Sequence, residues 1–427
     1  MTVTKAVILA AGQGKRLTPI TSTRPKHLIP IAGKPILQYT IESLKSIGIT
    51  EILLIVGYKK EQIMSYFKNG TDMGVHISYR EQKKFLGTAH ATKLAKNFVA
   101  NDSFLLLNGD VIMDFQIYKK VIERAKNENN IIIGKRVENP QKYGVIVCNK
   151  DGYMEKIVEK PSDNSFGNLI NAGVYQFTSK IFNAIEETKL SARKEYELTD
   201  SLDIFIKTNQ KICAIDVSEY YWNDIGRPWD ILDANKFFLE KIPSNILGTV
   251  EDGVTIKGNV YVGKGTVIKA GTYIEGPVYI GENCIIGPNS YIRPYTSLVK
   301  DVRIGNSSEI KNTVVLSRTH ISHLSYVGDS IIGENVNFGA GTIVSNVRLD
   351  KGEISMKING NPVKTGLNKL GAVIGDNVQL GIQSMIMVGK KIGENASIGP
   401  GTLVNEDVPE NTNYFVRLKC TDGIKKE

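Results

Sequence analysis

The segment Val262-Gly-Lys-Gly-Thr-Val-Ile268-Lys-Ala-Gly-Thr-Tyr-Ile274-Glu-Gly-Pro-Val-Tyr-Ile280 carries an aliphatic residue at every sixth position. An α-helix repeats every 3.6 residues and a plain strand every two, so neither produces this spacing. A period of six predicts a β-solenoid, in which each side of a coil is one short strand and a turn, with one aliphatic side chain pointing inwards. Twelve successive residues keep the spacing: Val250, Ile256, Val262, Ile268, Ile274, Ile280, Ile286, Ile292, Leu298, Ile304, Ile310 and Leu316.

Two interruptions of this repeat mark candidate functional segments. Ten residues separate Leu316 from Tyr326, which predicts a four-residue insertion that exposes residues 319–323. Residues 346–369 then leave the repeat, because Asp350 and Pro362 cannot fill an aliphatic position. Loops that leave a rigid scaffold often carry function. The expected inward positions around these breaks are Tyr326, Ile332, Phe338 and Val344, and then Ile374, Leu380, Ile386, Ile392, Ile398 and Val404.

The N-terminal half has a different pattern, in which short apolar runs alternate with helical spacing. Residues 5–10, 52–56 and 103–107 are typical of buried strands, and residues 36–47 have helical spacing with Gly48 as a stop. Alternating strands and helices predict an α/β fold with a mostly parallel sheet, whose ligands bind at the carboxyl ends of the strands. We therefore expect two domains, over residues 1–240 and 241–427.

Composition excludes several classes of protein. The 427 residues include 53 Lys and Arg against 44 Asp and Glu, a net charge of +9 that suits phosphorylated substrates. The charge is scattered and forms no basic block, which argues against a nucleic-acid partner. We find no apolar run of the roughly 18–20 residues that span a bilayer and no signal peptide, so we expect a cytoplasmic protein without a membrane partner. The four cysteines form no C-x-x-C pair, which argues against a disulfide framework or a zinc site.

A glycine-rich turn follows the first predicted strand. Gly12-Gln-Gly14-Lys-Arg16 offers backbone N–H groups that can approach a triphosphate, and Arg24-Pro-Lys26 adds positive charge. With Gly33-Lys-Pro35, this pattern closely resembles the signature of sugar-1-phosphate nucleotidylyltransferases. The resemblance implies a Rossmann-like nucleotidyltransferase domain that has a mostly parallel mixed sheet and depends on Mg²⁺.

Further positions match the same family in order, and the resemblance implies a role for each. Taken singly, each has a purely structural alternative, such as a strand-end cap for Asp110 or a solvated ion pair for Glu159 and Lys160. The implied nucleotide-binding residues are Ala11, Gly12, Gly14, Gln82, Gly87 and Thr88. The implied sugar-phosphate residues are Gly144, Glu159, Lys160 and Asn171, the catalytic cations are Arg16 and Lys26, and the metal ligands are Asp110 and Asp224.

Charge determines the implied mechanism, in which the sugar-1-phosphate oxygen attacks the α-phosphorus of a nucleoside triphosphate. Negative charge concentrates in the transition state, so catalysis requires alignment and cations. Two departures leave the choice between UTP and dTTP open. The stretch from Arg16 to Lys26 is longer than in bacterial bifunctional uridylyltransferases, and Asp224 replaces an Asn; both features are nearer the thymidylyltransferase branch.

The C-terminal repeat resembles the hexapeptide repeat of left-handed parallel β-helices. Its polar residues resemble the acetyltransferase domain of the bifunctional enzyme that makes UDP-N-acetylglucosamine. That domain transfers an acetyl group from acetyl-CoA to an amine, which must first lose a proton, and histidine has a suitable pKa. His323 is the expected base, with His320 as a rival. The remaining substrate or CoA residues are Arg293, Lys311, Tyr326, Asn337 and Asn346.

Together the two resemblances predict a bifunctional enzyme that acetylates glucosamine-1-phosphate and then transfers a uridylyl group to the product. They also imply a homotrimer, because such sites form between neighbouring prisms. An alternative is a glucose-1-phosphate thymidylyl- or uridylyltransferase whose solenoid is regulatory or oligomerising. A non-catalytic scaffold built on the same fold should lack Arg16, Lys26 and Asp110, which this chain keeps.

Overall fold

The computed structural model describes residues 3–416, which form two compact units. Of these residues, the first unit contains 3–14, 24–29 and 34–226, and the second contains 15–23, 30–33 and 227–416. None of the described helices is long and apolar enough to cross a membrane. The α-helices are Ile20–Thr23, Ile36–Ser46, Lys60–Phe67, Thr88–Lys93, Lys96–Val99, Phe115–Arg124, Ile181–Glu187, Leu198–Lys207 and Pro228–Leu239. Short 3₁₀ turns lie at Lys15–Leu17, Lys26–Leu28, Thr71–Met73 and Pro140–Lys142.

A nine-stranded sheet is the framework of the first unit. Seven strands lie in the order Met154–Glu159, Gly144–Cys148, Leu169–Phe177, Phe104–Asn108, Lys5–Ala10, Glu51–Val56 and His76–Glu81. The strand Ile131–Arg136 also pairs with Leu169–Phe177, and Cys213–Asp216 pairs with Ile131–Arg136. A separate pair joins Val111–Met113 to Trp222–Asp224, and short strands lie at Pro30–Ile31 and Lys34–Pro35.

The sheet is mixed, as expected, although its parallel pairs are confined to the N-terminal strands and to Ile131–Arg136 with Cys213–Asp216. Strands on either side of Lys5–Ala10 are parallel to it, whereas Leu169–Phe177 is antiparallel to its neighbours. The predicted strands and the helix after residue 36 are confirmed within a residue or two. Alternate side chains of Lys5–Ala10 enter two separate cores, Ile8 on one face and Val7 on the other. Both faces of this strand are therefore buried, which explains its uninterrupted apolar sequence.

The second unit is a parallel β-helix with three faces. The first face contains Asn245–Ile246, Val260–Val262, Val278–Glu282, Thr296–Lys300, Val314–Val315, Ile331–Ile332, Val373–Ile374 and Lys391–Ile392. The second contains Thr249–Val250, Val267–Ile268, Ile285–Ile286, Arg303–Ile304, His320–Ile321, Asn337–Phe338, Gln379–Leu380, Ser397–Ile398 and Asn413–Tyr414. The third contains Thr255–Lys257, Tyr273–Glu275, Tyr291–Ile292, Glu309–Lys311, Tyr326–Gly328, Ile343–Val344, Met385–Ile386 and Leu403–Val404.

The inward register confirms the hexapeptide pattern but corrects it between residues 310 and 332. Val315, not Leu316, pairs with Leu298, and Val327, not Tyr326, pairs with Ile310. The repeat shortens to five residues twice, before Val315 and before Ile332, so the predicted four-residue insertion does not exist. His320–Ile321 is instead a regular strand between Arg303–Ile304 and Asn337–Phe338. The error arose because Val315 and Leu316 are both aliphatic and both buried, so sequence spacing cannot choose between them.

The predicted excursion within residues 346–369 is confirmed. It contains an antiparallel hairpin of Ser355–Ile358 and Asn361–Lys364. Alternate residues of its first strand, Met356 and Ile358, are buried. The excursion is thus a packed element that interrupts the coil, after which the third face continues from Ile343–Val344 to Met385–Ile386.

Segments far apart in sequence complete the second unit. Asn235, in the helix Pro228–Leu239, is fully buried and accepts hydrogen bonds from the Ala32 backbone at 2.9 Å and the Ser297 hydroxyl at 2.7 Å. Its amide group donates to the Tyr295 carbonyl at 2.8 Å. Thr23 also donates to the Asp376 carboxylate at 2.6 Å. The second unit therefore includes segments from early in the chain as well as the β-helix.

Candidate functional site

A cavity of about 260 Å³ lies at the carboxyl ends of the parallel strands Lys5–Ala10 and Phe104–Asn108. This is the position at which open α/β sheets bind ligands. Seven of the residues singled out in the sequence line it: Ala11, Gly12, Lys26, Gln82, Gly87, Thr88 and Asp110.

An ion pair between Lys26 and Asp110 lies in this cavity, whose lining also includes Glu195. The two side chains are 13 % and 18 % exposed, so both are largely withdrawn from water. Burial alone would raise the pKa of the Asp110 carboxyl, but the charge and hydrogen bond of Lys26 outweigh it and hold the pKa below its usual range. The carboxylate is therefore ionised at neutral pH and available to a cation.

Asp110 and Asp224 come together through their backbones. Asp224 pairs with Val111 across the antiparallel strands, and the Ile225 N–H donates to the Asp110 carbonyl at 3.0 Å. No cluster of three or more His, Cys, Asp or Glu residues suited to a metal occurs among residues 3–416. Two carboxylates nevertheless fit Mg²⁺, which usually takes one or two from the protein and completes its shell with water and substrate phosphates.

The predicted base-reading residue Gln82 is 5 % exposed and fixed in orientation. Its amide nitrogen lies 3.0 Å from the Gly87 carbonyl and 3.1 Å from Nδ1 of His90. Burial and the charge of Lys93 lower the pKa of His90, so the ring is neutral and Nδ1 can accept. Gly87 has a φ of +98°, and a Cβ there would lie 2.5 Å from the Tyr196 carbonyl, which requires glycine.

Three of the four predicted sugar-phosphate residues meet at one strand pair. Glu159 lies opposite Gly144, where a Cβ would approach the Glu159 carboxylate to 3.0 Å. Lys160 lies 3.8 Å from the same carboxylate. Asn171 is on the adjacent strand, where Ile170 pairs with Val145, and its amide donates to the Tyr175 hydroxyl at 2.7 Å.

Three residues of the first unit that lie at these sites were not predicted from the sequence. Arg193 pairs with Glu159 at 3.1 Å and with Glu197 at 2.8 Å. Phe85 lines the cavity and is 48 % exposed, an unusual state for an aromatic residue. His27 also lines it, and burial together with the charge of Lys26 lowers its pKa to about 3. The adjacent Lys26 could have drawn attention to His27, but nothing in the local sequence indicates the long-range contact of Arg193.

Arg16 and Gly14 flank the point at which the chain passes from the first unit to the second. Gly14 is the last residue of its segment in the first unit, with a φ of +67°. Arg16 is exposed, lies in the turn Lys15–Leu17, and belongs to the second unit.

The β-helix gathers four predicted residues on or just beyond strands of its third face. Arg293 follows Tyr291–Ile292 and pairs with Glu309 at 2.8 Å. Lys311 lies 3.4 Å from Asp329. Asn346 follows Ile343–Val344, and its amide donates to the Tyr326 hydroxyl at 3.0 Å. Two cations and two polar groups are thus held together on one side of the prism.

The remaining two predicted residues lie elsewhere. Asn337 is on the second face, exposed, and in register with His320. His323 lies at the corner between the second-face strand His320–Ile321 and the third-face strand Tyr326–Gly328, with an exposed side chain. Its carbonyl accepts from the Ser325 hydroxyl at 2.8 Å, which anchors the corner. Within one chain, His323 therefore borders the third-face cluster while Asn337 does not join it.

Comparisons with known proteins find matches to both the N-terminal and the C-terminal part of the chain. The nucleotidyl transferase family model matches residues 5–241, and the GMPPB C-terminal domain model matches residues 274–390. A Methanocaldococcus jannaschii protein named "Bifunctional protein GlmU" is 46 % identical, over 96 % of this chain and 97 % of its own length. A Sulfurisphaera tokodaii protein named "Bifunctional sugar-1-phosphate nucleotidylyltransferase/acetyltransferase" is 45 % identical, over 95 % and 98 %.

Among solved structures, a putative glucose-1-phosphate thymidylyltransferase from Bacillus anthracis matches with a TM-score of 0.50 and 32 % identity. The match covers 55 % of this chain and 94 % of that one. The family model spans more than half of the chain, and the bifunctional relatives span nearly all of it. The chain therefore belongs to the family of bifunctional sugar-1-phosphate nucleotidylyltransferases and acetyltransferases.

Proposed function

We propose that this enzyme acetylates glucosamine-1-phosphate with acetyl-CoA and then transfers a uridylyl group from UTP to the N-acetylated product, releasing pyrophosphate. The observation that carries the second reaction is the Lys26–Asp110 pair inside a cavity at the carboxyl ends of the strands. The observation that carries the acetyl transfer is the polar cluster on the third face of the β-helix, beside His323. This cluster consists of Arg293, Lys311, Tyr326 and Asn346.

In nucleotidylyl transfer, the chain supplies alignment and positive charge. Lys26 holds the reacting phosphates, and Arg16 steadies the departing pyrophosphate. The backbone of Ala11, Gly12 and Gly14 follows the triphosphate. Asp110 and Asp224 would hold Mg²⁺, which supplies charge neutralisation between the nucleotide and the sugar phosphate when bound.

The Lys26–Asp110 pair implies that Lys26 changes partner during the cycle. Without ligands, its ammonium group satisfies a largely buried carboxylate. When substrate phosphates are present, they offer Lys26 a second anionic partner within the same cavity. Lys26 then shifts towards phosphate and Asp110 towards a cation, so neither charge is left buried alone.

Gln82 and Thr88 would contact the nucleobase side of the substrate. Because the Gln82 amide nitrogen already serves Gly87 and His90, its carbonyl oxygen remains to accept from the N3–H of a pyrimidine. Uracil and thymine both carry this group, so we propose UTP as substrate and retain dTTP as the alternative. Gly144, Glu159, Lys160 and Asn171 would bind the sugar phosphate, with Glu159 on a hydroxyl group.

For acetyl transfer, His323 removes a proton from the ammonium group of the amino sugar, so that the amine can attack the thioester. Arg293 and Lys311 would meet the sugar phosphate, while Tyr326, Asn337 and Asn346 orient the sugar or the thioester. Asn337 lies on a different face from the cluster, so we propose that it acts with the site of a neighbouring prism.

The proposed assembly is a homotrimer of left-handed β-helices. An apolar row on the third face supports it, because Ile343, Met385 and Leu403 are in register and are 40 %, 45 % and 41 % exposed. This row continues directly from Tyr326. We also propose a cytoplasmic location, where nucleoside triphosphates and acetyl-CoA are made.

Two variants of the full chain test the proposal. With acetyl-CoA and glucosamine-1-phosphate, the wild type should release free thiol, and His323→Ala should release at least about 100-fold less. Asp110→Ala should abolish Mg²⁺-dependent pyrophosphate release and leave thiol release intact. His320→Ala is the matched control for the first assay and should stay near the wild-type rate.

The alternative is a glucose-1-phosphate thymidylyl- or uridylyltransferase with a non-catalytic β-helix; the match to the Bacillus anthracis protein, which covers 55 % of this chain, favours only the nucleotidylyltransferase part of it. Absence of thiol release from the wild type would decide for this alternative. Offering UTP and dTTP in parallel with N-acetylglucosamine-1-phosphate and glucose-1-phosphate would identify the substrates.

A further inference from the structure

We propose that Asp329 is a positioning residue for acetyl transfer, acting through Lys311 and Asn346. This inference rests on the proposed acetyltransferase function. Asp329 directly follows the strand Tyr326–Gly328 of the third face and has a φ of +51°. It is 4 % exposed, among the most deeply buried charged side chains of the β-helix. A carboxylate in that environment requires partners, since an isolated buried charge is costly.

The partners of Asp329 are largely the residues expected to bind substrate. One carboxylate oxygen lies 3.4 Å from Nζ of Lys311 and accepts from the Asn346 amide at 2.5 Å. The other accepts from the Asn312 amide at 2.7 Å. Because the Asn346 amide also donates to Tyr326, a single carboxylate connects three predicted substrate-binding residues.

Backbone hydrogen bonds also fix the position of Asp329. Its N–H donates to the Lys311 carbonyl at 2.9 Å, and its carbonyl accepts from Gly371 at 2.8 Å. Gly371 lies two residues beyond the excursion, so the chain that returns from that loop is fixed to the residue that follows the strand. The carboxylate is therefore a rigid reference point for flexible groups, above all for the long side chain of Lys311.

This arrangement gives Asp329 two effects on a sugar phosphate. It restricts the rotamers of Lys311 before the substrate arrives, which lowers the entropic cost of binding the sugar phosphate. It also orients the Asn346 amide, which then presents the same group in every turnover. Asp329 partly balances the positive charge of Lys311, and Glu309 partly balances that of Arg293. The ligand would therefore be selected by the geometry of these groups and not by net positive charge.

The test uses Asp329→Asn in the full chain. The new amide would turn its nitrogen either to the Lys311 ammonium group and the Asn346 amide or to the Asn312 amide, donor against donor in each case, and in both orientations Lys311 loses the negative charge that holds it. We expect kcat/KM for glucosamine-1-phosphate to fall roughly 10- to 100-fold, with part of the loss in KM for the sugar phosphate. Pyrophosphate release should be unchanged. Loss of folded protein alone would lower the apparent kcat and leave KM where it was.

A second series separates positioning from structural damage. If Asp329 acts through Lys311, adding Asp329→Asn to Lys311→Ala should lower acetyl transfer by less than about 3-fold further. Asn312→Gly keeps a residue that suits the left-handed backbone there and removes only a partner of Asp329, so it should give a smaller loss of the same kind. Asp376→Asn, another buried Asp of the β-helix at 6 % exposure, is the control and should leave thiol release unchanged.

The inference is overturned if the sugar-phosphate KM of Asp329→Asn equals that of the wild type, or if its loss multiplies fully with that of Lys311→Ala. Absence of thiol release from the wild type would instead reject the proposed acetyltransferase function. The two failures are therefore distinguishable.

Discussion

Lys26 and Asp110 show that a residue pair can be both a catalytic candidate and a source of stability. Since the folded-state pKa of Asp110 is lowered, its contribution to stability is complete above the unfolded value of about 3.9 and is lost as the pH falls through the folded value. Lys26→Met removes the charge and hydrogen bond that lower this pKa and leaves burial, which raises it.

We expect the melting temperature of Lys26→Met to fall increasingly below that of the wild type as the pH rises from 4 to 7, because a buried carboxylate must then ionise without its partner. Thermal unfolding over this range measures the gap. Lys34→Met is the control, since its ion pair with Glu42 is solvent-exposed, and it should give a curve parallel to the wild type. A gap that is constant with pH for Lys26→Met would contradict the prediction.

Gly144 is important because it has no side chain at the point where the Glu159 carboxylate approaches it. Gly144→Ala would place a methyl group 3.0 Å from the Glu159 carboxylate and 3.3 Å from Ile157. We expect the displaced Glu159 to raise KM for the sugar-1-phosphate several-fold, while KM for the nucleotide stays constant. Initial-rate kinetics of pyrophosphate release check both values, and an equal rise in both would refute a local effect.

At the scale of elements, the five-residue steps of the β-helix determine which side chain is structural and which is functional. Val327 is fully buried in the prism, and its neighbour Tyr326 points outwards to Asn346. Val327→Ala should cost about 2 kcal/mol of stability through lost burial and a cavity. Tyr326→Phe should leave the melting temperature within about a degree and lower acetyl transfer. Denaturant unfolding and thiol release compare the two variants, and a larger loss of stability in Tyr326→Phe would restore the register expected from sequence.

The sequence predicted elements well where one physical requirement acts on a long segment. The hexapeptide spacing and the buried strand Lys5–Ala10 are examples, because every residue repeats the same constraint. It failed where two neighbours satisfy the constraint equally, as Val315 and Leu316 do. The candidate cavity was predictable because glycine and charged residues follow strand ends, whereas the contacts of Asp329 and Arg193 depend on pairings between distant segments that no local pattern encodes.

At the scale of the whole molecule, Asn235 connects three distant parts of the chain in the second unit. Its side chain makes hydrogen bonds with Ala32, Tyr295 and Ser297 and is fully buried. Asn235→Ala would leave buried polar groups without partners, at about 1–3 kcal/mol for each. We expect the melting temperature to fall by several degrees. Asn306→Ala, whose side-chain bond to Asn289 is exposed, should change it by less than a degree. Equal shifts in the two variants would argue against this role of Asn235.

The interleaved segments of the second unit also limit how evolution or an engineer can recombine this gene. A crossover at codon 240 would pair the Asn235 of one parent with residue 297 of the other, whose Ser hydroxyl donates to it here, and would separate Thr23 from its native Asp376. A chimera that exchanges only the C-terminal half thus inherits mismatched partners. Hybrids should be viable when residues 15–33 and 228–239 are inherited together with the β-helix against which they were selected.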